Sequence, residues 1–229
     1  MQNIRAILFD KDGTLFDFQA TWGAWAQALL TDLAEGNRAL VQELAAAIDF
    51  DLSSARFRPS SPVIGGTGRE VVNLLAPFVP ALDPAALERR IAAEAVAAPL
   101  VEAVPLRPLL ERLRAQGCKL GIATNDYEAV GRDHVSEVID LFDFIAGFDS
   151  GHGAKPEPGM LLAFARVCDV APRDVLMVGD SRHDLLAGRA AGMATMGVLT
   201  GVASAADLAP LADVVHHDIG HLPRVLGFA

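Results

Sequence analysis

Short apolar runs alternate with amphipathic helical patterns along most of this chain, and that alternation leaves few architectures open. Runs of strand length occur at Ile4 to Phe9, Lys119 to Ala123, Phe144 to Phe148, Val175 to Val178, Thr195 to Leu199 and Asp213 to His216, and helical patterns separate most of them. Strands joined through helices pair in parallel, so the pattern predicts an α/β fold: a parallel sheet covered by helices. The joints are punctuated as helix ends should be. "RPLLERLRAQG" stops at Gly117 and "HDLLAGRAAG" stops at Gly192, both positions suited to a glycine C-cap.

Between the first two strands, about residues 16 to 100 carry no strand signal and four helical patterns, which predicts an all-helical insertion. Trp22, Trp25, Ala26, Leu29, Leu30 and Leu33 form one apolar stripe, Val41, Leu44, Ala45 and Ile48 a second, and Val71, Leu74, Leu75 and Phe78 a third. The fourth helix starts at "DPAALERRI", with Asp83 as N-cap and Pro84 in the first helical position. "SSARFRPSSP", residues 53 to 62, reads as a loop inside this unit, and "IGGTGRE" as the lead into its third helix.

The chain has 229 residues, 52% hydrophobic and 21% charged, which excludes a disordered chain and allows a substantial core. Its net charge of −10 opposes nucleic acid and anionic lipid, so neither is expected as a partner, and any anionic substrate needs a local positive site. Arg5 interrupts the opening apolar run, against a signal peptide. The longest uncharged stretch, Ala190 to Ala206, is rich in small residues and glycine, against a membrane span. A cytoplasmic protein is expected, with Cys118 and Cys168 as buried thiols rather than a disulfide framework.

The first strand runs into "AILFDKDGTLFD". Residues two apart on extended backbone face the same side, so Asp10 and Asp12 should project together while Lys11 points away. Two close carboxylates call for a cation or a shared proton, and hard oxygen ligands select magnesium. Asp12-Gly13 can also be read as a simple turn; an EF-hand loop is excluded, because its glycine belongs at the sixth position and Gly13 is fourth from Asp10. Other strand ends are polar too: Thr124, Asn125 and Asp126 end one, Asp180 another with Asp184 four residues on, and Lys155 sits in a proline-held loop. In an open parallel sheet these ends share one edge, where such folds bind ligands. Singly, Thr124 could be a helix N-cap, Lys155 a solvated lysine, and Asp180 and Asp184 a cap and a surface charge.

Together and in order, "DKDGT", "ATN", "GAKPEP" and "GDSRHD" resemble the four motifs of the haloacid dehalogenase superfamily of phosphohydrolases. The resemblance implies a Rossmann-like catalytic core at 1–15 and 101–229 and a helical cap domain at 16–100. It implies Asp10 as nucleophile, forming an aspartyl phosphate, and Asp12 as general acid and base. Thr124 and Lys155 would hold the phosphate, with Mg2+ bound by Asp10, the Asp12 carbonyl, Asp180 and Asp184. Gly13, Thr14 and Asn125, within the same motifs, are assigned to substrate binding, and in the cap Arg69, or the pair Arg56 and Arg58, to a substrate carboxylate, with a solvated arginine as the other reading of each. Asp12 distinguishes the chain from the metal-free dehalogenases, and within the phosphatases "DKDGTLFD" with this cap is most similar to phosphoglycolate phosphatase. Lys11 stands where an apolar residue is usual. The expected partner is a small phosphomonoester, and the expected assembly a monomer or homodimer. Two other readings are a phosphomutase of the same superfamily and a receiver-like phosphoacceptor, although a receiver needs neither Asp12 nor the insertion. His216, His217 and His221 read as surface residues, His152 and His183 as edges of the site, and Trp22 and Trp25 as cap core.

Overall fold

The computed structural model describes residues 3–228. In chain order its strands are β1 (Ala6–Phe9), β2 (Phe50–Asp51), β3 (Arg56–Phe57), β4 (Lys119–Ala123), β5 (Phe144–Ala146), β6 (Val175–Gly179), β7 (Ala194–Val198) and β8 (Val214–His216). Its α-helices are α1 (Phe18–Leu33), α2 (Arg38–Ala47), α3 (Gly68–Leu75), α4 (Pro84–Val96), α5 (Leu106–Ala115), α6 (Glu128–His134), α7 (Gly159–Val167), α8 (Arg182–Ala191), α9 (Ala205–Leu208) and α10 (Leu222–Val225). None of the described helices is long and apolar enough to cross a membrane.

Six strands form one sheet in the order β5-β4-β1-β6-β7-β8, with every pairing parallel. All six expected strands are present. β1 lies at the centre, and the chain leaves it first toward β5 and later toward β8, so the order reverses beside β1, as it does where open sheets bind ligands. The period of two along β1 divides the core: Ile7 and Phe9 pack with Leu109, Leu110 and Leu113 of α5, while Ala6 and Leu8 pack with Met160 and Phe164 of α7. Both faces are covered, which is why the strands read as apolar runs without alternation.

The insertion between β1 and β4 has its own apolar cluster, built on Trp22, Leu29 and Leu30 of α1, Leu44 of α2, Leu75 of α3 and Leu87 of α4. Asp83 caps α4 by accepting from the Ala86 amide, and Thr67 forms a capping box with Glu70 at α3. The expectation of an all-helical unit is corrected in one place. β2 and β3 form a two-residue antiparallel hairpin, partly within the stretch read as a loop. Asp51 accepts from both the amide and hydroxyl of Ser53 to tighten the turn, and the rings of Phe50 and Phe57 pack 5.0 Å apart beneath it. Cys118 is buried, but Cys168 is only half-buried.

Candidate active site

Asp10 follows β1, Thr124 follows β4 and Asp180 follows β6, three neighbouring strands whose carboxyl ends meet at the reversal point. Lys155 enters from the loop before α7 and places Nζ 2.5 Å from Asp10 Oδ1 and 2.7 Å from Asp184 Oδ1. Carboxylate oxygens of Asp10, Asp180 and Asp184 lie within 4.8 Å of one another, and all three residues are buried. Three carboxylates facing one ammonium lack two positive charges, a deficit a divalent cation would supply with the hard oxygen donors magnesium prefers. Burial raises the Asp10 carboxyl to about 7, Lys155 drawing it down and Asp184 and Asp12 pushing it up. Burial, then Asp184 and Asp10, hold Asp180 well above the carboxylate range. Burial would lower the Lys155 ammonium, but Asp10 and Asp184 more than offset it and raise it.

The backbone makes room for this cluster. Gly13 has φ +84°, and a Cβ there would stand 2.4 Å from Asp180 Cγ; one on Gly201 would stand 1.7 Å from Asp180 Oδ2. Asp184 is fixed by its place in the first turn of α8, where it accepts from the Ser181 amide at 3.0 Å and hydroxyl at 2.7 Å in a capping box. The reading of Asp184 as a surface charge is therefore corrected: it is 1% exposed.

Asp12 belongs to a second cluster, and its carboxylate lies outside the group of three. One of its oxygens accepts from Lys11 Nζ and from the Trp22 indole N–H of α1, each at 2.8 Å. Any share of Asp12 in the cation site would thus fall to its carbonyl. Lys11 is wholly buried, and its ammonium also meets Asp126 at 3.3 Å and His134 Nδ1 at 3.0 Å. The expectation that Lys11 points away is corrected, because its long stem turns back to bring the charge onto Asp12. Burial alone would lower its pKa, but Asp12 and Asp126 raise it. His134 Nε2 lies 2.8 Å from the Ala95 carbonyl of α4, which can only accept. Nε2 therefore donates there, and Nδ1 accepts from Lys11. Burial, then Lys11, hold this imidazole below its ordinary pKa.

The other expected residues separate. Asn125 is a clamp: Nδ2 donates to the Gly65 carbonyl at 2.7 Å and the Lys155 carbonyl at 2.9 Å, while Oδ1 accepts from the Lys155 amide at 2.9 Å. Thr124 lines the cleft and accepts from the Asp126 amide at 3.1 Å; its reading as a helix N-cap is corrected, because Tyr127 holds that place at α6. Gly13 and Thr14 do not line the cleft; Thr14 is wholly buried with its hydroxyl unpartnered. Arg69 is corrected more fully. Its side chain is 66% exposed, 3.8 Å from Glu88 and over the Phe148 ring, and it does not line the cleft. His183 does line it, as expected, whereas His152 does not. His216 and His221 stack 5.0 Å apart, away from the cleft.

A cavity of about 90 Å³ lies between sheet edge and insertion. Sequence reasoning missed most of its far wall: Trp22 and Trp25 are cap core and cleft lining at once, and the loop before α3 enters through Val63, Ile64 and Gly65. The only signal for that loop was the glycine-rich "IGGTGRE".

Comparison with known proteins agrees with this geometry. The family model described as haloacid dehalogenase-like hydrolase matches residues 4–192. A phosphoglycolate phosphatase of Nitrosospira multiformis is 30% identical over 191 residues, 82% of this chain and 80% of that protein. The phosphoglycolate phosphatase of Escherichia coli K12 is 35% identical over 52% of this chain and 48% of its own length. The crystal structure of a HAD phosphatase from Thermococcus onnurineus superposes with a TM-score of 0.70 at 23% identity, covering 97% of this chain and 98% of that one, and shares the fold. With the family model spanning four of the six sheet strands, the acidic edge and the insertion, the chain belongs to the haloacid dehalogenase-like hydrolase family.

Proposed function

We propose that the protein is a Mg2+-dependent phosphatase that hydrolyses a small phosphomonoester through an aspartyl phosphate on Asp10. The observation that carries this reading is the division of the acidic residues into two clusters: Asp10 beside Lys155, Asp180 and Asp184, and Asp12 held apart by Lys11 and Trp22. One cluster suits a nucleophile beside a cation, the other a proton carrier. Asp10, Asp180 and Asp184 would hold Mg2+, which when bound supplies positive charge to the phosphoryl oxygens. A carboxylate oxygen of Asp10 attacks phosphorus, the bond to the ester oxygen breaks, and Asp12 passes a proton to the departing alkoxide. Water then attacks the aspartyl phosphate, giving its proton to Asp12 and releasing phosphate and the Asp10 carboxylate. Thr124 and Lys155 stabilise charge on the phosphoryl group, and Asn125 holds the Lys155 loop in place.

Residues 16–100 act as a cap over this edge, excluding water and shaping the leaving-group site. We infer a cytoplasmic setting for the reaction, a reading the two free cysteines support. The names of the relatives make phosphoglycolate the first compound to test. The decisive assay is Mg2+-dependent phosphate release across a panel of phosphomonoesters, wild type against Asp10→Asn. The variant should lose activity by about a thousandfold or more; equal rates would remove Asp10 as nucleophile.

A further inference from the structure

The wall that the insertion presents to the cleft carries no charged side chain. From α1, the loop before α3, α3 and α4 it offers residues such as Phe18, Trp25, Ile64, Val71, Ile91 and Ala92, and the only polar side-chain atoms on that wall are the indole nitrogens of Trp22 and Trp25. The Trp22 N–H is already given to Asp12, and the Trp25 N–H is buried without a partner. On the opposite wall, Lys155 is the only lysine or arginine among the lining residues, and it is held between Asp10 and Asp184. Asp12 and Asp126 line the same space. A leaving group with a carboxylate would thus be desolvated against hydrocarbon, with Lys155 and Lys11 already committed to carboxylates and the His183 imidazole the one other basic side chain on the lining. Arg69, the residue that could have met it, is turned outward to Glu88 and Phe148.

We propose that the substrate is the phosphomonoester of a compact, uncharged apolar alcohol, aromatic or branched aliphatic, and not of a hydroxy acid. This rests on the phosphatase reading above and adds the chemistry of its leaving group. Trp22 and Trp25 meet edge to face with centroids 5.0 Å apart and, with Phe18 and Ile91, form a surface on which a ring or branched chain is buried without loss of hydrogen bonds. The cavity of about 90 Å³ limits the alcohol to a small one.

The test pairs turnover with binding, so that the two readings fail separately. With Mg2+ present, kcat/KM is measured for benzyl phosphate, 3-methylbutyl phosphate and phosphoglycolate, and dissociation constants for benzylphosphonate and phosphonoacetate are measured by calorimetry. The apolar compounds are expected to be preferred by about tenfold or more in both. Ala92→Arg, which adds a cation to the wall, is expected to move the ratio about tenfold toward the carboxylate compounds. If nothing is hydrolysed but benzylphosphonate still binds more tightly, the phosphatase reading falls and the cleft's preference stands. If phosphonoacetate binds as well as benzylphosphonate, or neither binds, or phosphoglycolate is hydrolysed best, the proposal is overturned. A phosphoglycolate preference abolished by His183→Ala would overturn it too, and would identify the imidazole as the carboxylate's partner.

Discussion

Lys11 is the residue whose role a family pattern explains least and the structure explains most. Its ammonium is wholly buried and joins Asp12, Asp126 and His134 into one network, which Trp22 and the Ala95 carbonyl tie to the insertion. Lys11→Met keeps the stem's volume but leaves two carboxylates without their cation, and removing one partner of a buried ion pair costs about 3 to 5 kcal/mol. Denaturant unfolding should show that loss, and an unchanged midpoint would mean that Asp12 and Asp126 find other partners. Gly13 is a second such residue, since both its positive φ and the space taken by Asp180 exclude a side chain. Gly13→Ala should displace Asp180 and weaken Mg2+ binding by about tenfold or more in calorimetry while the sheet still folds. Unaltered affinity would take Asp180 out of the cation site. The spacing of Asp10 and Asp12 was legible from sequence; the return of Lys11 onto Asp12 was not, because a four-carbon stem can direct its charge almost anywhere until neighbours enclose it.

Among the elements, loops rather than strands decide the geometry of the site. Asn125 at the end of β4 bonds the Lys155 segment before α7 and the Gly65 segment before α3, so one side chain fixes both walls of the cleft. Asn125→Ala strands one buried amide and two carbonyls at a cost of about 2 to 3 kcal/mol. We expect a lower melting temperature and a fall in kcat larger than any change in KM, because Lys155 loses its support; a change in KM alone would make Asn125 a substrate contact. The helices of the insertion were legible from their stripes and caps, Asp83 and Pro84 above all. The hairpin of β2 and β3 was not, since two-residue strands are too short to show a period and are held by the Asp51 turn and the packing of Phe50 and Phe57.

For the whole molecule, the buried acidic edge makes stability depend on pH. Burial raises the Asp10 carboxyl from 3.8 to about 7, so the folded protein keeps a proton that the unfolded chain gives up. The stability this contributes is complete below about pH 4 and lost as pH rises through about 7. His134, held low, opposes it near neutrality, so the comparison is with Asp10→Asn. With chelator present, the melting temperature of the wild type relative to that variant should fall between about pH 5 and pH 8, and Mg2+ should restore more stability at the higher pH. A parallel course for the two proteins would mean that Asp10 ionises freely.

The sequence by itself determined the six strands and their parallel sheet, the place of the insertion and the residues of the acidic edge, because periodicity, caps and strand-end polarity are local and a parallel sheet brings all its carboxyl ends to one side. Only the tertiary structure decided which acids lie together, where Lys11 and Arg69 direct their charges, and that the wall facing Asp10 is apolar. Those outcomes depend on contacts between residues far apart in the chain, where burial and the competition of several partners for one charge select a single arrangement among many that local sequence permits.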